Sequence, residues 1–236
     1  MIQSVQAREM QERLALRWPP VALAFRPEAP AGLPRVEAAA PSGCTYWKMA
    51  AEGRAFYTEA TDHFGCPVGS YTHGIPLLPV QAQELEGLLG TMIGLGYVRA
   101  EEIAALPRLA GAFGVALYAP LASAPFEADL VLVRGTPRQM MLLVEAAGSA
   151  RVAQAAGSMG RPTCAMLPMA LGAEGWATSL GCIGNRVYTD LDDGEEYFVV
   201  AASKAPALVE ALRGIAQANA ALEQFHRARR DSARPA

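Results

Sequence analysis

One phrase is written twice in this chain, and it limits the architectures open to it. Counting from Cys44, Met49-Ala50 and then Glu52-Gly53 follow; counting from Cys164, Met169-Ala170 and Glu174-Gly175 follow in the same order. Gly65-Cys66 with Gly69 is answered by Gly181-Cys182 with Gly184, and Tyr71-Thr72 by Tyr188-Thr189. All four cysteines of the chain fall at matched positions. The offset is roughly 120 residues, far longer than the period of a solenoid repeat. The pattern predicts a duplicated half packed against its copy about a pseudo-twofold axis, where features near the axis meet from both sides.

The local patterns name the elements of each half. "PVALAF" (20–25), "GVALYAPL" (114–121), "ADLVLVRG" (128–135) and "EEYFVVAAS" (195–203) are short apolar runs between turn residues and read as strands. The N-terminal stretch reads as a short helix stopped by Pro19-Pro20, and a helix is expected from Cys44 over residues 45–60. "PVQAQELEGLLGTMIGLG" from Pro79 has helical apolar spacing despite Gly87 and Gly90, and "AEEIAALPRL" reads as a second short helix. Thr136 and Pro137 open another, Cys164 precedes a helical piece, and a long helix capped by Ser203 closes the fold. "LGCIGNRVYTD" reads as turn-rich. Strands alternating with helices place the chain in the α/β (or α+β) class, a mixed sheet with flanking helices. The expected divisions are an N-terminal helical extension (1–13), a first half (14–110), a second half (111–225) and a disordered basic tail (226–236).

Composition removes several function classes. The 236 residues are 52% hydrophobic and 18% charged, with a net charge of −3. That charge gives no field for nucleic acid or an anionic membrane. The one basic cluster, from His226 on, reads as a solvated end. No apolar run approaches the ~18 residues of a membrane span. The N-terminus lacks the pattern of a signal peptide, so a cytoplasmic protein is expected, in which structural disulfides are rare.

The cysteines therefore carry the functional expectation. Four thiolates suit an iron–sulfur cluster or tetrahedral zinc, possible here through the fold alone because no CxxC occurs. The sequence predicts Cys44, Cys66, Cys164 and Cys182 as ligands converging between the halves. Gly65, Gly69, Gly181 and Gly184 would leave room beside the sulfurs and turn backbone amides toward them. Tyr46, Trp47, Phe64, Met166 and Leu167 would shield the cluster. Use in redox or electron transfer, with a redox partner, follows from that reading. Three alternatives stay open. Cys66-Pro67 suits a haem thiolate, with His63 or His73 as second ligand, and His63 with Cys66 also forms an HxxC pair. A metal-free protein would bind a small molecule between the halves, against Tyr46, Trp47, Tyr71, Trp176 and Tyr188. A thiol enzyme would use Cys66 or Cys182 as nucleophile. Cysteine is also a common core residue, and duplication copies core thiols as faithfully as ligands.

Other signals are weaker. Arg134 and Arg138 lie at a strand-to-helix turn that could hold an anion, or pair with surface carboxylates. "DLDDGEE" (190–196) is a carboxylate-rich turn without EF-hand spacing, and reads as a solvated turn more readily than as a cation site. No GxSxG, HExxH, Walker A or GxGxxG pattern is present, so no catalytic residue is assigned.

With these residues in order, from "PVALAF" through "FGCPVG", "ADLVLVRGTPRQMMLL" and "PTCAMLPMA" to "LGCIGNRVY", the chain resembles the domain of unknown function 169, or ArCR-like, family of archaeal and bacterial proteins over roughly residues 14–212. The resemblance implies that the four cysteine segments belong to the family pattern. It implies no particular activity.

Overall fold

Leu130–Gly135 is the strand in which sequence and structure correspond most directly. Its apolar run Leu130–Val133 has no polar alternation and so must be covered on both faces, and every residue of the strand, Arg134 included, is buried. A computed structural model describes residues 4–111 and 114–232 of the chain. Its seven strands form one open sheet in the order β2-β3-β1-β4-β7-β6-β5. They are β1 (Val21–Arg26), β2 (Phe56–Glu59), β3 (Val115–Pro120), β4 (Leu130–Gly135), β5 (Gln154–Met159), β6 (Trp176–Ser179) and β7 (Glu196–Ala201). The edge pair β5–β6 is parallel, and every other pair is antiparallel. The chain is thus an α/β protein with a mixed sheet and flanking helices.

Alternate side chains of the sheet enter two cores. Ala22, Val131, Val133, Phe198 and Val200 face α1 (Ser4–Leu14), α6 (Pro137–Ser149) and α9 (Ala205–Ser232), which contribute Met10, Leu143 and Leu208 among others. Leu23, Tyr118, Leu130, Leu132 and Val199 face the opposite way, onto Tyr46 and Trp47 of α2 (Gly43–Ala51) and Met166 and Leu167 of α7 (Met166–Gly172). Each large side chain removed from water this fully stabilises the fold by about 1.5–3 kcal/mol. The remaining helices, α3 (Pro67–Thr72), α4 (Pro79–Gly94), α5 (Ala100–Ala104) and α8 (Ile183–Thr189), connect these layers. Among the described residues no helix is long and apolar enough to cross a membrane.

The strand order has an internal symmetry. Outward from the central antiparallel pair β1–β4 come β3 then β2 on one side, and β7 then β6 on the other, with matching pairing senses. The order α2-β2-α3-β3 corresponds to α7-β6-α8-β7. Each side has its own insertion: α4 and α5 follow α3, whereas α6 and β5 precede α7.

Several boundaries differ from expectation. The helix opened at Cys44 stops at Ala51, because the chain turns at Gly53 with φ +101°, and "FYTE" becomes β2 instead of helix. The turn-rich reading of 180–190 misses α8. The expected N-terminal extension is integral: α1 buries Ala7, Met10 and Leu14. Residues 226–232, expected as loose tail, continue α9. Residues 1–3 of the expected extension and 233–236 of the tail lie outside the described residues.

Candidate functional site

The four cysteines lie on four short segments that pack into a ring over the α2–α7 face of the sheet. Cys44 sits in the first turn of α2, Cys66 caps α3, Cys164 lies in a 3-10 turn (Thr163–Ala165) leading into α7, and Cys182 caps α8. α2 packs on both α3 and α8, and α3 packs on the 3-10 turn. The Cys182 amide closes the ring by donating to Thr163 Oγ1 at 2.6 Å. Two of these contacts, α2 with α8 and α3 with the 3-10 turn, cross between the two sides of the sheet.

All four cysteines are free and only partly buried. Cys44 Sγ lies 3.0 Å from Ser42 Oγ, and Ser42 also caps α2 by accepting from the Thr45 amide. Burial pushes the Cys44 thiol up to about 11, while the Ser42 hydroxyl beside it pulls the other way. The Cys164 thiol is also pushed up, first by burial and then by Cys66. Burial thus keeps Cys44 and Cys164 as protonated thiols. Gly69 makes room for Cys66: a Cβ there would lie 2.9 Å from the Cys66 sulfur.

Three buried polar side chains beside the ring are under-satisfied. Asn185, 2% exposed, has no hydrogen-bond partner for either carboxamide atom, although its backbone amide reaches Cys182 Sγ at 3.5 Å. His63 and His73 stack edge to face beneath the start of α2, with ring centroids 6.0 Å apart. His63 Nε2 pairs with Thr58 Oγ1 at 2.8 Å, while its Nδ1 and both nitrogens of His73 are unpartnered. Burial holds both imidazoles neutral, lowering His63 to about 4 and His73 to about 3.

This geometry corrects the metal and iron–sulfur reading. Among the described residues, no three His, Cys, Asp or Glu side chains are placed to hold one ion. Cys44, Cys66, Cys164 and Cys182 are neighbours without forming a ligand set, and the surroundings of Cys44 and Cys164 favour the thiol over the thiolate that ligation needs. Three of the four glycines have other neighbours. Gly181, at φ +81°, sends its N–H to Ser179 Oγ, and the amide that reaches a sulfur belongs to Asn185. Gly65 packs against the backbone of Ala40 and Pro41, and Gly184 faces the Tyr188 ring.

The alternatives are narrowed too. His63 and His73 are sealed in the core rather than presented beside Cys66 as haem ligands. The aromatic pocket is not assembled: Tyr46 and Trp47 fill one core, whereas Trp176 stacks on Phe198 in the core on the other face. Arg134 is no anion site, since it donates to Glu195 at 2.8 Å and to the Thr189 carbonyl at 3.0 Å. Arg138 pairs with Glu223. The acidic turn at 190–196 is tied down by Lys48, Arg134 and Arg186.

Ser42, Thr163 and Asn185 are the site residues that sequence reasoning missed. Ser42 had a signal, a cap residue placed just before a helical run. Asn185 had none, because a single polar residue in "GCIGNR" gives no sign of whether it will be buried.

No curated protein and no solved structure matches the chain. One family does, over residues 9–211, which include every cysteine segment described above. By that match, the chain belongs to the uncharacterised ArCR family, the domain of unknown function 169.

Proposed function

We propose that the cysteine ring acts through its thiols, as a site of dithiol–disulfide exchange. One observation carries this reading: α3, which Cys66 caps, packs on both α2, which carries Cys44, and the 3-10 turn that carries Cys164, so thiols from the two halves of the strand order are brought to one place. Their partial exposure also argues against inert core thiols. The palindromic strand order supports the further reading that the two sides are duplicated halves, each supplying two of the four thiols.

In this mechanism the Cys66 thiolate attacks a disulfide R–S–S–R′. The S–S bond breaks, a Cys66–S–S–R bond forms, and R′S⁻ leaves. Cys44 or Cys164, kept protonated by burial, gives its proton to the leaving thiolate and then attacks Cys66 Sγ. This releases RS⁻, which takes up the proton lost by Cys66. The external disulfide is reduced to two thiols and the ring is oxidised to one disulfide.

The test is oxidation of the full chain by oxidised glutathione in the presence of a chelator, followed by mass spectrometry of non-reduced peptides. Cys66 linked to Cys44 or Cys164, and loss of that product in Cys66→Ser, is the expected result. Four thiols left reduced, or a ring disulfide that excludes Cys66, would overturn the reading.

A further inference from the structure

Two buried indole N–H groups on the α2 face of the sheet have no acceptor among the described residues. Trp47, 1% exposed, lies in the second half of α2, and Trp18 lies just before β1; neither Nε1 is hydrogen-bonded. Both rings wall one partly open cleft, of about 310 Å³ counting its mouth. Val21, Ala51 and Leu132 give it apolar walls, and its inner end admits a single water-sized group. The cleft lies toward the opposite end of α2 from Cys44. Trp176 is the contrast: its Nε1 donates to the Val152 carbonyl at 3.2 Å.

We infer that this cleft binds the carboxylate of a short aliphatic acid, its oxygens accepting from Trp18 and Trp47 and its carbon chain lying against the apolar walls. An indole N–H is a donor only, so whatever satisfies it must be an acceptor. The other polar side chains of the cleft are Lys48, Arg134 and Tyr197. The two cations are held by carboxylates that are not part of its wall, Lys48 by Asp190 at 2.7 Å and Arg134 by Glu195 at 2.8 Å. The Tyr197 hydroxyl donates to Thr189 Oγ1. The wall therefore presents donors and positive charge without a carboxylate, the reverse of what a cation or an amine needs.

Two features favour a carboxylate over a water molecule or a neutral carbonyl. A water bridging the indoles would still need acceptors for its own protons, and among the wall side chains only the Tyr197 hydroxyl offers one. A carboxylate needs no acceptor, and its two oxygens match two single donors. The second feature is charge. The guanidinium groups of Arg17 and Arg134 lie 5.0 and 5.2 Å from the centre of the Trp18 ring. Cations this close to an indole draw electron density from it and make its N–H a stronger donor toward a negative acceptor. The inference does not depend on what the cysteine ring does.

The indole N–H signals of the nitrogen-15-labelled full chain test it, read by NMR while sodium propionate or, at equal ionic strength, sodium chloride is added. Trp18→Phe, Trp47→Phe and Trp176→Phe assign the three signals, and any two of these variants suffice. Propionate is expected to move the Trp18 and Trp47 protons downfield along one saturating curve and to leave Trp176, already paired, in place. Chloride is expected to leave all three in place. In Trp47→Phe the Trp18 signal should need at least about tenfold more propionate, the loss of one hydrogen bond to a charged acceptor. Propionate that moves neither signal, or moves all three alike, overturns the inference. Chloride that moves Trp18 and Trp47 as far as propionate does overturns it too.

Discussion

Lowering the pH should unfold this protein through two histidines well before its carboxylates titrate. His63 and His73 are 1% and 0% exposed, and burial holds them neutral, at about 4 and about 3 against 6.5 for a free imidazole. Unfolding releases each ring into water, where it takes up a proton below pH 6.5. The unfolded state therefore binds more protons than the folded state between about pH 6.5 and 4. Their stabilising contribution is complete above 6.5 and declines as the pH falls through that window. While both rings stay neutral in the fold, each loses about 1.36 kcal/mol per pH unit, so pH 5 costs roughly 2 kcal/mol per ring and 4 kcal/mol together. That is a large part of the 5–15 kcal/mol typical of a domain. It should lower the urea midpoint by about 1.5 M between pH 7 and pH 5. Glu196, raised by burial, tilts the other way, whereas Glu9 and Glu223, held near 2 by arginines, matter only below about 4.5. The comparison with His73→Leu isolates the effect. This variant removes two unpartnered nitrogens, should be at least as stable at pH 7, and should lose only half as much stability on acidification. Parallel pH profiles for the wild type and His73→Leu would refute the reasoning.

Three further changes probe the packing. Arg134→Met leaves the Glu195 carboxylate buried without its partner and should cost about 3–5 kcal/mol in urea unfolding, much of it recovered when Glu195→Leu is added. Gly69→Ala places a methyl group 2.9 Å from Cys66 Sγ and should destabilise by about 1–3 kcal/mol. In a Cys66→Ala background, where the sulfur is gone, the same change should instead stabilise by about 0.5–1 kcal/mol, read by thermal melting. Leu143→Ala, at a fully buried position of α6, should cost about 2–5 kcal/mol in the same assay.

The parts of the fold legible in the sequence are those where one physical demand dominates. β1, β4 and β7 lie in the interior of the sheet with both faces covered, so their residues form continuous apolar runs. Pro137 and the Thr136–Gln139 capping pair mark the start of α6 without ambiguity. β2 and β6 have four residues each, too few for a period to emerge, and edge strand β5, "QAAGSM", has no buried residue. α8 is hidden by Gly184 and by its short length. At the site, repetition singled out the cysteine segments. The distances between sulfurs could not be read the same way, because residues far apart in sequence are placed by the packing of α2, α3 and α8. The burial of His63 is equally hidden, since a histidine among glycines and prolines carries no periodic sign of a core position.

At the midline of the sheet, β1 and β4 are joined through three registered residue pairs, Val21 with Leu132, Ala22 with Val131 and Leu23 with Leu130. On either side, β1 with β3 and β4 with β7 are each joined through six. A force that pried the two sides apart would meet a joint half as wide as those flanking it, and parting it would carry Cys44 and Cys66 one way, Cys164 and Cys182 the other. A covalent link from Cys66 to Cys164 would act as a rivet across that joint, so the oxidation state of the thiols would set how stiffly the two sides are held.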